Sequence, residues 1–296
     1  NQPLDLEFGA AWGRDDGQRE GLHQMLGQLS WLSEQAGSER RVLALDEEQE
    51  LVVDQTTEQV RLLMRVKQVL KERALMLYAQ PIQNREGEGY HEILTRMRCG
   101  DSVIMPDQFI PLIVQFNLSQ RFDMLVLETL FSVLHQHPGQ RFSVNLLPAT
   151  LMQKDSAAQI IALFQRYAVS PDLITIEVTE EQAFSNADIS QQNLEALRAF
   201  GCAIAIDDFG TGYANYERLK HLQADIIKID GCFVRDILTD PLDAIMVKSI
   251  VEMARAKQMS VVAEYVESEP QKARLLELGV NYLQGYLVGK PQPLGE

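Results

Sequence analysis

The sequence predicts an α/β fold: a modified (β/α)₈ TIM-like barrel, preceded by a small N-terminal α/β fragment and a connecting helix. Three observations carry this. Short apolar runs recur at 74–82, 91–97, 141–147, 173–178, 202–207, 225–229, 260–264 and 280–288. Helix-like stretches at 107–135, 156–168, 188–200, 241–257 and 269–278 separate most of them, and strands alternating with helices are the pattern of a parallel sheet with helical crossovers. About eight strands in roughly 220 residues suit a closed barrel better than an open doubly wound sheet.

In chain order, residues 1–55 form the fragment. Within it, 4–11 reads as a short strand, 22–35 as a helix with Leu22, Met25, Leu26, Leu29 and Leu32 on one face, and 41–44 as a second strand. So short a segment buries little core alone, so it is expected to pack on the main domain or on a partner absent from the sequence. Residues 56–73 read as an amphipathic linker helix with Val60, Leu63, Met64, Val66 and Leu70 as its apolar stripe. The barrel domain occupies 74–296, and its most apolar stretch, 107–135, reads as one buried barrel helix.

Composition narrows the function. Hydrophobic residues make up 46% and charged residues 23% of the 296, which excludes disorder as the main state. The net charge of −15 repels nucleic-acid polymers and anionic membranes, so direct binding to a nucleic-acid polymer is not expected. Cys99, Cys202 and Cys232 are too scattered for a disulfide framework or a zinc site. The five histidines lack metal-ligand spacing. No apolar run reaches the roughly 18 residues of a membrane span. Asn1 opens the chain without a signal peptide, so the expected location is the cytoplasm, either free or as the cytosolic part of a longer membrane-anchored protein.

Polar residues cluster at the ends of the apolar runs. Asn145 lies near the end of its run, Glu177 is followed by Glu180 and Glu181, and Asp207 by Asp208. Lys228 precedes Asp230, Glu264 ends its run with Glu267 three residues on, and Gln284 lies in the last run. Each acid taken singly is an ordinary helix cap or turn residue. Together they would meet at the C-terminal rim of a barrel, where strand ends converge. Carboxylates gathered there repel one another and need a positive partner. Oxygen ligands from Asp, Glu and Asn suit a hard cation, Mg²⁺ or Mn²⁺. The pair Asp207-Asp208 would serve two ions, the usual arrangement for in-line attack of water on a phosphodiester. Lys228 would orient that water or neutralise developing charge. The following Phe209-Gly210-Thr211-Gly212-Tyr213 reads as a tight functional loop or a simple turn.

Several motifs stand in a fixed order: Glu92-Ile93-Leu94 with Arg96, Asn145 with Pro148, Glu177-Val178-Thr179-Glu180, and Asp207-Asp208-Phe209-Gly210-Thr211-Gly212. They continue with Lys228-Ile229-Asp230, Ala263-Glu264 with Glu267, and Gln284-Gly285-Tyr286 with Lys290-Pro291. This series closely resembles the EAL domain, the cyclic di-GMP phosphodiesterase fold, over about residues 74–293. The resemblance implies metal-dependent hydrolysis of cyclic di-GMP to linear pGpG by a water activated between two ions, Mg²⁺ or Mn²⁺. It implies Glu92, Asn145, Glu177, Asp207 and Asp208 as metal ligands, Glu264 as general base and Lys228 as the residue holding the catalytic water. It implies Gln80, Leu94, Arg96, Glu267, Gln284 and Pro291 as substrate contacts. A homodimer and a regulatory protein partner are further expectations. Phe8-Gly9-Ala10-Ala11 and the segment after it faintly resemble the tail of a GGDEF domain, so 1–55 is expected to be the remnant of a degenerate one.

The chain also departs from the family pattern. Arg96 is followed by Met97, Arg98, Cys99 and Gly100 in place of the usual Trp and His-Pro, and no acid follows Pro111-Leu112. Tyr265 replaces a small Gly beside Glu264, and Gly231 stands where a basic residue is common. These departures define the alternative expectation, a catalytically inactive EAL-type receptor or protein-interaction regulator. Glu92 lies early in its run, on the wrong end for an all-parallel barrel. An antiparallel strand, which the family is known for, is the expected resolution.

Overall fold

The structure, a computed structural model, describes residues 47–100, 102–180, 188–210 and 223–295, with side chains from residue 59 onward. Most of the expected 1–55 fragment, Glu181 and the Thr211-Gly212-Tyr213 loop lie outside the described residues. The chain divides into two compact units, Asn1–Lys71 and Glu72–Glu296. In the first, helix α1 spans Glu47–Glu72. It covers residues 56–72 of the expected linker helix and the stretch from Glu47 before them.

The second unit is a closed eight-stranded barrel with two short appended strands. Its strands are β1 (Leu75–Gln83), β2 (Gly89–Cys99), β4 (Phe142–Asn145), β5 (Ile174–Thr179), β6 (Ala203–Phe209), β7 (Ile226–Ile229), β8 (Ser260–Ala263) and β9 (Tyr282–Gln284). The order β1-β9-β8-β7-β6-β5-β4-β2 closes through β1–β2 pairing. Neighbours from β2 round to β9 run parallel, and β1 is antiparallel to both β2 and β9. The short strands β3 (Ser102–Ile104) and β10 (Gln292–Pro293), which the sequence pattern did not mark, extend β2 and β1.

Helices close the crossovers: α2 (Pro106–Gln115), α3 (Ser119–Val133), α4 (Pro148–Leu151), α5 (Ser156–Tyr167), α6 (Asp188–Phe200), α7 (Cys232–Arg235), α8 (Pro241–Ala256) and α9 (Glu269–Leu278). The expected single helix 107–135 is two, because Asn117 adopts a left-handed conformation at φ 53° and breaks the ladder. Asn tolerates that conformation better than most residues. Strand interiors are buried, as in Ile176, Val178, Ile204, Ile206, Ile227 and Val262, which is why these runs read as continuously apolar instead of alternating.

The Glu92 difficulty resolves differently from the expectation. The antiparallel strand is β1, whereas β2, which carries Glu92, runs parallel with β4. Because β2 is 11 residues long and overshoots its neighbours, its fourth residue already lies level with Ser143, two residues short of the end of β4.

One buried acid fixes the turn beyond β4. Asp123 on α3 is fully buried, and its Oδ2 accepts hydrogen bonds from Leu147 N at 2.9 Å and Thr150 Oγ1 at 2.5 Å. It therefore caps α4 from a distance and pins the chain immediately after Asn145. Burial pushes its carboxyl up to about 7, against the pull of the Thr150 and Leu147 hydrogen bonds. The folded protein thus holds this proton over a range in which the unfolded chain, near 3.8, has lost it. That contribution to stability is complete below the unfolded value and is lost as pH rises through about 7. Urea unfolding compared at pH 5 and pH 8 is expected to give a smaller loss of stability for Asp123→Asn than for wild type. An identical loss would show that Asp123 is ionised throughout.

Candidate active site

Local backbone choices aim the polar residues. Successive residues of a strand face opposite sides, so Asp207 and Asp208 could not both serve one site in regular β6. The β6–β7 register shifts between Ile206 and Phe209, and Asp208 has φ 54°. The irregularity re-aims the second carboxylate, the use to which bulges beside active sites are put. Beyond it, Gly210 N donates to Glu180 Oε2 at 2.9 Å, so Glu180 holds the start of the following loop. The sequence placed Glu180 near the cluster but gave it no role.

Lys228 is the hub. Its side chain is 1% exposed, and Nζ lies 3.1 Å from Glu92 Oε2, 2.8 Å from Glu177 Oε2, 3.0 Å from Asp207 Oδ1 and 2.8 Å from Glu264 Oε1. Burial alone would strip its proton. The carboxylates of Asp207, Glu177, Glu264 and Glu92 overcome that and hold it well above the ordinary lysine range. The acids respond in kind. Burial, with Glu92 beside it, raises Glu177 well above the carboxylate range despite Lys228. Burial pushes Glu264 up to about 8, Lys228 opposing and Asp207 adding. Burial and then the Asp207 and Asp230 charges push Asp208 up to about 6.

The remaining expected residues fall around this hub. Asn145 Nδ2 donates to Glu92 Oε1 at 2.8 Å, and Gln284 Nε2 donates to Glu92 Oε2 at 2.7 Å and to Gln80 Oε1 at 3.3 Å. Gln80 Nε2 in turn donates to Gly289 O at 3.2 Å. Gln284, expected to contact substrate, thus uses its amide nitrogen to orient Glu92, while its Oε1 is buried without a hydrogen-bond partner among the described residues. Gln80, Leu94, Arg96, Glu267, Gln284 and Pro291 all line one cavity of about 300 Å³ that also reaches Glu92 and Glu264. Arg96 lies over the Tyr78 ring at 5.4 Å and donates to Thr95 O at 2.7 Å. The cavity is also lined by Tyr265, Gly285 and Tyr286, for which the sequence suggested no substrate-contact role. Tyr265 and Tyr286 are large, exposed aromatics, at 53% and 60%; the sequence marked Tyr265 as a departure and Tyr286 as part of a motif, and the fold places both on the cavity wall.

The donor set fits divalent cations. Ligand oxygens of Glu92, Glu177 and Asp207 lie within 4.8 Å of one another, as do those of Asp207, Asp208 and Glu264. Asp207 belongs to both groups, as a bridging ligand would. Glu177 Oε1 is buried and takes no hydrogen bond from a described group, an orphan acceptor that a cation would satisfy. Every donor is oxygen, the preference of Mg²⁺ and Mn²⁺. One ammonium among four carboxylates leaves excess negative charge in a desolvated site, which favours cation entry.

Comparison with known proteins agrees with this geometry. A sequence profile of the EAL domain matches residues 63–291. The chain is 59% identical over 300 residues to a probable cyclic di-GMP phosphodiesterase, PdeA of Escherichia coli K12, covering all of this chain and 41% of that protein. The chain therefore spans about two fifths of that relative's length. A solved structure of PaMucR phosphodiesterase in complex with c-di-GMP superposes with a TM-score of 0.73 at 34% identity, over 79% of this chain and 98% of that one. A Klebsiella pneumoniae BlrP1 complex with manganese and cy-diGMP superposes with a TM-score of 0.66 at 29% identity, over 74% of this chain and 56% of that one. With a closed barrel, an acid constellation on its strand ends and a profile match over most of its length, this chain belongs to the EAL domain family.

Proposed function

We propose that this domain hydrolyses cyclic di-GMP to linear pGpG. The observation that carries the reading is Lys228 held between Glu92, Glu177, Asp207 and Glu264, beside a cavity edged by Arg96 and Glu267. The phosphodiesterase relative and the two nucleotide-bound neighbours support it. Glu92, Asn145, Glu177, Asp207 and Asp208 are the residues to hold Mg²⁺ or Mn²⁺, which when bound supplies Lewis-acid activation of water and charge neutralisation at phosphorus. Glu264 accepts the proton of the attacking water, a role suited by a carboxyl that burial raises to about 8 against the pull of Lys228. Lys228 donates to the water and fixes its approach. Arg96 steadies a non-bridging phosphate oxygen as the phosphorus–oxygen bond to the 3′ carbon side breaks and the new bond to water forms. The departing 3′ oxygen takes a proton from solvent, leaving a 3′ hydroxyl on one guanosine and a 5′ phosphate on the other.

Chromatography of cyclic di-GMP incubated with the chain and Mn²⁺ tests the base. Glu264→Gln is expected to lower the rate of pGpG formation by about 10²-fold or more while nucleotide binding persists. Undiminished turnover in that variant would remove Glu264 from the role.

Metal removal gives a second check. Thermal unfolding in EDTA and in excess Mn²⁺ is expected to differ, because a ligand at about 100 times its Kd stabilises by roughly 2.7 kcal/mol. Asp207→Asn, which strips the shared oxygen ligand from both groups, is expected to lose most of that rise. An Asp207→Asn protein stabilised as much as wild type would contradict the shared-ligand assignment.

A further inference from the structure

Tyr265 and Gly231, two departures from the family pattern that look unrelated in the sequence, are one structural feature. Tyr265 follows Glu264 and sits in the left-handed region at φ 56°, where a residue bearing a β-carbon is strained. A Gly there would be free of that strain, so the ring must serve something that offsets it. Gly231 opens α7 at the end of β7, with an ordinary helical φ of −59°, so its own backbone does not call for glycine. The reason for glycine is the ring: a Cβ at position 231 would fall 2.4 Å from Tyr265 Cδ2 and 2.7 Å from Cγ. From the same turn, the Arg235 guanidinium lies over the ring, 4.9 Å from its centroid. Gly231 makes the space and Arg235 fixes the ring in it.

The ring so fixed is not buried. Tyr265 is 53% exposed and lines the cavity that Arg96, Glu267 and Tyr286 also line. Nor does it disturb its neighbour in the chain, since Glu264 Oε1 keeps its 2.8 Å contact with Lys228. A rigid, exposed aromatic ring backed by a guanidinium, beside an acid and an arginine, is a stacking platform for a planar base.

We propose that Tyr265 is a substrate-binding residue that stacks on a guanine base of the cyclic dinucleotide, and that Gly231 is its positioning partner. The proposal rests on the phosphodiesterase reading above and adds an affinity determinant to it. Stacking acts on the bound base and not on the reacting phosphorus, so it contributes to KM more than to kcat.

The test measures KM and kcat for cyclic di-GMP hydrolysis, and Kd by equilibrium titration of the nucleotide, for wild type, Tyr265→Gly, Tyr265→Phe and Gly231→Ala. Tyr265→Gly is expected to raise KM and Kd at least about fivefold, with kcat within about threefold and no fall in thermal midpoint, because glycine relaxes the backbone. Tyr265→Phe keeps the ring and is expected to recover most of that loss. Gly231→Ala, allowed by its own backbone, is expected to raise KM by displacing the ring. Unchanged KM and Kd in Tyr265→Gly beside an active wild type would overturn this inference alone. A joint fall of kcat and thermal midpoint without a change in Kd would also overturn it, by marking the ring as packing only. A wild type that neither binds nor hydrolyses the nucleotide would overturn the phosphodiesterase reading and this inference with it.

Discussion

A single buried ammonium organises this domain. Lys228 sits in a four-residue strand otherwise made of isoleucine, and it draws together carboxylates from β2, β5, β6 and the end of β8. Removing either sign from such a desolvated cluster leaves uncompensated charge, which costs far more than a surface ion pair is worth. The barrel and the site are therefore not separable. The strands bring the acids into reach, and the lysine makes their proximity tolerable. The same arrangement leaves more negative than positive charge, so the cluster stays receptive to cations.

Around that hub, the polar contacts form shells. Gln284 and Asn145 both donate to Glu92, and Gln80 continues the chain of amides to Gly289. Asp123 pins the turn beyond Asn145, and Glu180 pins the start of the loop beyond Asp208. Each limits the freedom of a cluster residue or of the segment beside it, and such support holds site geometry within the tolerance that chemistry demands.

The parallel barrel and its acids were legible in the sequence because both signals are local. Fully buried strands read as short apolar runs, and a strand end is where its functional residue stands, so Asn145, Glu177, Asp207 and Glu264 could be picked by position. What escaped depends on register or on tertiary proximity. The assignment of the antiparallel strand to β1, the overshoot of β2 that levels Glu92 with β4, and the bulge that turns Asp208 follow from pairing that no single segment encodes. The break at Asn117 did have a local signal, an Asn shortly before Ser119-Gln120-Arg121, but the flanking Phe116 and Leu118 kept the stretch looking continuously apolar. Gly231 and Tyr265, 34 positions apart in the sequence, counted as separate irregularities suggestive of lost activity. In the fold each accounts for the other, and Glu264 keeps its place beside Lys228.

The carboxylate cluster needs an internal positive charge, and a divalent cation can also supply it. The most direct measurement is the unfolding free energy of Lys228→Met against wild type, in EDTA and in excess Mn²⁺. The variant is expected to lose about 3–5 kcal/mol in EDTA, and to gain more than wild type on adding Mn²⁺. A Lys228→Met protein as stable as wild type in EDTA, or one that Mn²⁺ does not preferentially restore, would contradict this.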